Sequence, residues 1–249
     1  MGGLGNQMFQ IAAAYSLAQD NNDEAVFDFN KCYTPGQGHE SNRYKETILK
    51  NINNQSNIFS CNFHEEEDFS YKEIKYRNNL MIKGYFQCEK YFYNNKQSVI
   101  DLFHISQEDI SFLNDIFDFN NNKYVSVHIR RAEYLKYPDI HPVCEKSYYY
   151  KAMEFFPKET KFLFISDDIE WVKDNFKSNN FYFSENNTDI LDLTLISLCD
   201  HNIIANSSFS WWGAYLNKNK NKTVIGPKHW FGPKGPKNQE IIPESWIKI

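Results

Sequence analysis

Between Tyr124 and Gly226 the chain repeats one pattern: a short apolar run, a polar turn, then a segment with helical spacing. The apolar runs are YVSVHI, KFLFIS, FYF, NIIA and KTVIG. SYYYKAMEFF, DDIEWVKDNF, DILDLTLISLCDH and SSFSWWGAYL lie between them with helical character. Strands that alternate with helices form a parallel sheet, because each crossover must return the chain to the same end, and the helices cover both faces. In such a sheet ligands bind beyond the carboxyl ends of the strands. Arg130, Ser166, Asp167, Asn206 and Ser207 all fall at those ends.

The first half is less regular. GGLGNQ (2–7) precedes a segment in which Met8, Ile11, Ala12 and Tyr15 share one helical face. EAVFDF (24–29) and LMIKGYFQ (80–87) read as strands, and KYFYNNKQSVIDLF as a helix. Residues 34–79 are polar and loop-rich. The polar break DFNNNK (118–123) places the domain boundary, giving an N-terminal domain over 1–120 and a C-terminal domain over 121–249, whose tail packs back on the first. A chain of 249 residues is long enough for two such cores.

A net charge of -5 with scattered lysines gives no basic stripe and argues against nucleic acid as a partner. The five cysteines, Cys32, Cys61, Cys88, Cys144 and Cys199, are odd in number and contain no CxxC. That argues against a disulfide framework or a thiolate metal site, and for reduced thiols. No apolar stretch approaches the roughly 18 residues of a membrane span. The N-terminus lacks the charged-then-apolar pattern of a signal peptide, so a cytoplasmic protein without stable membrane insertion is expected.

Four constellations carry chemistry. VSVHIRRAEYL (125–135) ends an apolar strand in two arginines. A guanidinium pairs bidentately with phosphate. Two consecutive residues on a strand cannot face the same side, so one arginine is placed to meet a ligand while the other braces it; the plain alternative is a salt bridge to Glu133. GGLGNQ sets glycines before a helix N-terminus, which suits an anion or a polar group, or a tight turn alone. Ser166-Asp167-Asp168 suits a helix cap, and its carboxylates also suit the N–H edge of a purine. Asn206-Ser207-Ser208-Phe209-Ser210-Trp211-Trp212-Gly213 offers hydroxyls at a helix start that fit a diphosphate, with the Trp pair as core. Hydrolase and Walker signatures are missing.

Taken together, GGLGNQMFQIAAAYSLA, GYFQCEKYF, VSVHIRRAEYL, FISDDIEWVKDNF and DLTLISLCDHNIIANSSFSWWGAYL followed by VIGPKHWF resemble the α-1,2-fucosyltransferases of glycosyltransferase family 11 over nearly the whole chain. The resemblance implies an α/β, GT-B-like fold of two facing Rossmann-like domains. It implies inverting, metal-independent transfer of L-fucose from GDP-β-L-fucose to the 2-hydroxyl of a galactose in a glycan acceptor, with no further cofactor. By this resemblance Arg130 holds the β-phosphate, while His128 and Arg131 orient the loop. Asp167 or Asp168 reads the guanine edge; Asn206, Ser207, Ser208 and Ser210 line the diphosphate; Asn6 and Gln7 face the cleft from the N-terminal domain. Glu133 is the candidate base. Two departures from the family pattern stand out. HxRRGD is HIRRAE here, which moves the carboxylate out by one methylene and removes a glycine. The family also has a strand before GGLGNQ, so the first sheet is expected without it. Those departures keep two alternatives open: a non-catalytic relative that binds nucleotide or glycan, and a fucosyltransferase of another linkage such as α-1,6.

Overall fold

The computed structural model describes residues 2–31, 40–56, 58–60, 62–237 and 240–249. Cys32 and Cys61, expected as free thiols, lie outside the described residues. The chain forms two compact units, one of residues 1–105 with 237–243, the other of residues 106–236 with 244–249.

In the first unit the long helix α1 (Leu4–Asp20) begins inside the glycine motif, so Gly5, Asn6 and Gln7 belong to its first turn. Its buried face packs Ala13 against Ile74 and Phe86, with Leu17, Leu80, Ile82 and Tyr91 around them. Two short parallel strands, β1 (Asn62–Glu65) and β2 (Leu80–Lys83), pair from Asn62 opposite Leu80 to Glu65 opposite Lys83. Helix α2 (Lys96–Leu102) follows.

Two expected strands are shorter here than their apolar content implies. EAVFDF is reduced to a single parallel bridge between Phe27 and Asn54. Side chains take backbone donors at its end: Asn54 Oδ1, from the segment it bridges, accepts from the Phe29 N–H at 3.1 Å, and Asp28 accepts from the Asn30 N–H just beyond the run at 3.1 Å. Such side-chain bonds compete with a sheet ladder. LMIKGYFQ is a strand only to Lys83, because the carboxylate of Glu66 accepts the N–H groups of Tyr85 (2.6 Å) and Phe86 (3.1 Å). Phe86 sits in the left-handed region at φ 49° and is 1% exposed.

The second unit opens with α3 (Gln107–Phe117), capped by Ser106 Oγ accepting from the Glu108 N–H. Its Leu113 and Phe117 pack with Tyr124, Leu163 and Ile165. The units therefore divide at 105/106, ahead of the polar break at 118–123. The sheet comprises β3 (Tyr124–Ile129), β4 (Lys161–Ser166), β5 (Phe181–Phe183), β6 (His201–Ile203), β7 (Val224–Gly226) and β8 (Ile247–Lys248). All neighbours are parallel, in the order β5-β4-β3-β6-β7-β8. Renumbered from its own first strand that is 3-2-1-4-5-6, the doubly wound order, which reverses direction between β3 and β6.

Alternation along the strands builds a core on each face. Val125, Val127, Ile129, Phe162 and Phe164 pack with residues of α4 (Lys146–Met153) and α5 (Ile169–Asn175). Tyr124, Leu163 and Ile165 pack with α3 and α6 (Asp189–Leu198). Helix α7 (Ser208–Leu216) lies against α6, with Gly213 facing Ile196. No helix among the described residues is long and apolar enough to cross a membrane.

Candidate functional site

The switch point between β3 and β6 is where this topology places a ligand, and it is where the sequence put its arginines. The two guanidinium groups, just beyond the end of β3, take different partners. Arg131 turns toward α5: it donates from Nη1 to Asp168 at 2.5 Å and its guanidinium lies 4.3 Å from the Trp171 ring centroid. Arg130 takes the other direction. Its Nη2 donates to Glu133 Oε2 at 2.7 Å, its Nη1 lies 3.1 Å from Asp167 Oδ2, and the Tyr134 ring stands 5.6 Å away. Glu133 therefore pairs with Arg130 and not with Arg131. Ala132 keeps φ outside the left-handed region, so the turn that carries the glycine in the HxRRGD pattern needs no glycine here.

Tyr134 joins this arginine to the next strand end. Its hydroxyl donates to the Asn206 carbonyl at 3.0 Å, and burial pushes its pKa well above the usual phenol value. The Asn206 side chain is 1% exposed and donates to the carbonyls of Pro142 and Trp230, each at 2.9 Å. Asn206 thus ties the loop after Arg130 to the loop near 230, and its amide is spent on that architecture rather than on a ligand. A second tie runs from the Gly232 N–H to the Ile140 carbonyl at 3.0 Å. A Cβ on Gly232 would lie 2.4 Å from the Asp139 carbonyl oxygen, so only glycine allows the two loops to close together.

At the start of α7 the serines behave differently from expectation. Ser207 occupies the cap position but its side chain makes no cap hydrogen bond. Ser210 is fully buried and donates to the Ser207 carbonyl at 3.2 Å. Ser208 is partly exposed. The first-turn N–H groups of α7 consequently have no side-chain cap, the arrangement that accepts an anion.

His128 lies on β3, 4% exposed, with its ring 5.7 Å from Phe209. Burial, aided by the charge of Arg130, lowers its pKa to about 3, and its Nδ1 is buried without a hydrogen-bond partner. At neutral pH it is an uncharged imidazole that orients or accepts a hydrogen bond; it does not add positive charge. Asp167 and Asp168 do not cap α5 either. Ser166 Oγ accepts the Asp168 N–H at 3.0 Å, while Asp167 accepts the Arg131 N–H at 2.8 Å. Both carboxylates hold the arginine pair, which leaves the purine-edge role expected of them competing with ion pairs already in place.

One further carboxylate lies at a strand end. Asp192, in the first turn of α6, accepts from Ser184 Oγ at 2.6 Å just beyond β5, and burial raises its pKa to about 6. Within the sequence it reads as one more acid at a helix start. In the first unit, Gln7 is 3% exposed; it donates to the Gly2 carbonyl at 2.9 Å and accepts from Ser41 Oγ at 2.9 Å. Asn6 Oδ1 accepts from Gln87 Nε2 at 2.6 Å. The two amides expected to face a ligand thus brace the glycine turn and the Glu66-held turn. Gly2 has φ 74°, and a Cβ there would fall 2.3 Å from Asn6 Nδ2. Among the described residues no three His, Cys, Asp or Glu side chains gather as metal ligands.

Comparison with known proteins agrees with this architecture. An α-1,2-colitosyltransferase of Escherichia coli is 30% identical, the match covering 100% of this chain and 96% of that protein. A galactoside alpha-(1,2)-fucosyltransferase 2 of Oryctolagus cuniculus is 26% identical over 87% of this chain and 65% of its own length. Among solved structures, fucosyltransferase NodZ from Bradyrhizobium superposes with a TM-score of 0.52 at 14% identity, over 85% of this chain and 89% of that one, which identifies the fold as GT-B-like. The description "Glycosyl transferase family 11" matches residues 1–249. The chain belongs to glycosyl transferase family 11 and is a glycosyltransferase.

Proposed function

We propose that this enzyme transfers L-fucose from GDP-β-L-fucose to the 2-hydroxyl of a galactose at the end of a glycan, with inversion and without a metal ion. The observation that carries the proposal is the placement of Arg130 at the β3–β6 switch point, joined through Tyr134 to the uncapped N-terminus of α7. A diphosphate leaving group needs positive charge where its negative charge grows. A fixed guanidinium and a row of helix N–H groups supply that without reorganising at the moment of reaction. As the bond from the sugar C1 to the phosphate oxygen breaks, its electron pair passes to the phosphate. The acceptor hydroxyl gives up its proton to a base, for which Glu133 is the candidate, and its oxygen forms the new bond from the opposite face, so the β-linked donor gives an α-linked product. The α-1,2 linkage is supported by relatives whose names carry it, with fucose in one and colitose in another.

The test is GDP release from GDP-fucose with a panel of galactosides, in excess EDTA, for the wild type and Arg130→Ala. Galactoside-dependent release that falls by about 10²- to 10³-fold in the variant is expected. Release from the corresponding colitose donor alone would reassign the sugar. An enzyme silenced by EDTA, or unaffected by loss of the arginine, would overturn the proposed mechanism.

A further inference from the structure

We infer that Glu133 is a built-in counter-ion that the donor's phosphate must displace from Arg130. The inference rests on the proposed contact between Arg130 and the donor. Both terminal nitrogens of Arg130 face carboxylates, Nη1 toward Asp167 and Nη2 toward Glu133. The two partners differ in how firmly they are held. Asp167 is fixed from a second direction, accepting the Arg131 N–H at 2.8 Å, and its side chain is 20% exposed. Glu133 reaches back from three residues along the chain, at the start of the turn that leads to Tyr134, and its side chain is 50% exposed. Turning a half-exposed carboxylate out into water has a small cost, whereas moving Asp167 also breaks a bond to the backbone.

A phosphate oxygen offers Nη2 the same acceptor chemistry that Glu133 Oε2 now supplies, so the two compete for one donor edge. The apparent affinity for a diphosphate is then its intrinsic affinity reduced by the fraction of molecules in which the edge is covered. Asp167 keeps the guanidinium in place throughout, so displacement of Glu133 exposes the edge without releasing the arginine. The side chain one methylene longer than the aspartate of the HxRRGD pattern has the reach for this i,i+3 return.

Calorimetric titration of GDP into the full-length protein, without metal, tests the assignment. Four proteins are compared: wild type, Glu133→Gln, Arg130→Ala and the double variant. GDP is expected to bind Glu133→Gln about two- to five-fold more tightly than wild type, the range set by an exposed ion pair. Arg130→Ala should weaken binding at least ten-fold and erase the gain in the double variant. GMP, which lacks the outer phosphate, should not distinguish Glu133→Gln from wild type. If GDP binds Glu133→Gln no better than wild type while Arg130→Ala still weakens it, the counter-ion assignment is overturned and the donor site stands. If Arg130→Ala binds GDP like wild type, both fall. Glu133→Ala, with circular dichroism on every variant, separates a lost competitor from a distorted turn: only the former tightens GDP in both substitutions.

Discussion

Gly213 tests whether the α6–α7 contact sets the position of the α7 N-terminus. An ideal Cβ at this residue would stand 2.5 Å from Ile196 Cγ2 and 2.7 Å from Ile196 Cβ. Ordinary contacts need about an ångström more, and rotation of Ile196 cannot provide it, because Cβ does not move with χ1 and a β-branched residue in a helix has one strongly preferred rotamer. Gly213→Ala therefore drives the two helices apart, with an overpacking cost of about 1–3 kcal/mol. Alanine returns about 1 kcal/mol through helix propensity, leaving a net loss of up to about 2 kcal/mol. Equilibrium denaturation in guanidinium, followed by circular dichroism, measures this. A double-mutant cycle with Ile196→Ala adds the decisive term. Ile196→Ala alone leaves a cavity worth about 2–5 kcal/mol, which the new methyl partly fills, so the pair should be more stable than the sum by about 1 kcal/mol or more. Stabilisation of Gly213→Ala by the full propensity gain, or additivity with Ile196→Ala, would refute the packing argument.

Tyr134→Phe leaves the buried Asn206 carbonyl without its hydroxyl donor, a loss of about 1–3 kcal/mol in stability. With Arg130 less well placed, kcat should fall more than KM rises; equal changes in a steady-state assay would remove the positioning role. Asp192 gives a pH signature. Its folded pKa near 6 lies above the ordinary 3.8, so the folded state binds the proton more tightly than the unfolded state and this group's contribution to stability declines as pH rises from about 4 to 6. The full effect is about 3 kcal/mol. Stability of Asp192→Asn should lack that component, and an unchanged difference from wild type between pH 4 and 7 would show that the carboxyl is not shifted by folding.

The parallel sheet was legible because short apolar runs alternate with helical segments. YVSVHI, with Val125, Val127 and Ile129 on one face, and KFLFIS show such runs in the sequence, and both are strands over the expected residues. The first unit was harder to read for a local reason: its asparagines, aspartates and Glu66 bond to the backbone and cut apolar runs short. β1, written NFHE, alternates in burial but carries polar residues that do not read as a strand. Helix α3 had a legible cap in Ser106 and an apolar face in Ile110, Leu113 and Phe117, yet lies before the polar break that drew the boundary. In the site, residue types were legible but partners were not. Tyr134 and Trp171 become meaningful only when crossovers bring distant strand ends together. The carboxylates of Asp167 and Asp168 were read as ligand groups, although the nearest charges awaiting them belonged to the chain itself.

The aromatic face beneath Arg131 has an optical consequence. Of the five tryptophans, Trp211, Trp212, Trp230 and Trp246 are at most 8% exposed, while Trp171 is partly exposed with a guanidinium 4.3 Å from its ring. Indole emission responds to a nearby charge and to water, whereas sealed indoles contribute a steady background. Any event that shifts Arg131 therefore registers in Trp171 first, so the protein carries its own fluorophore beside the arginine pair, whose movement can be followed in real time without a label.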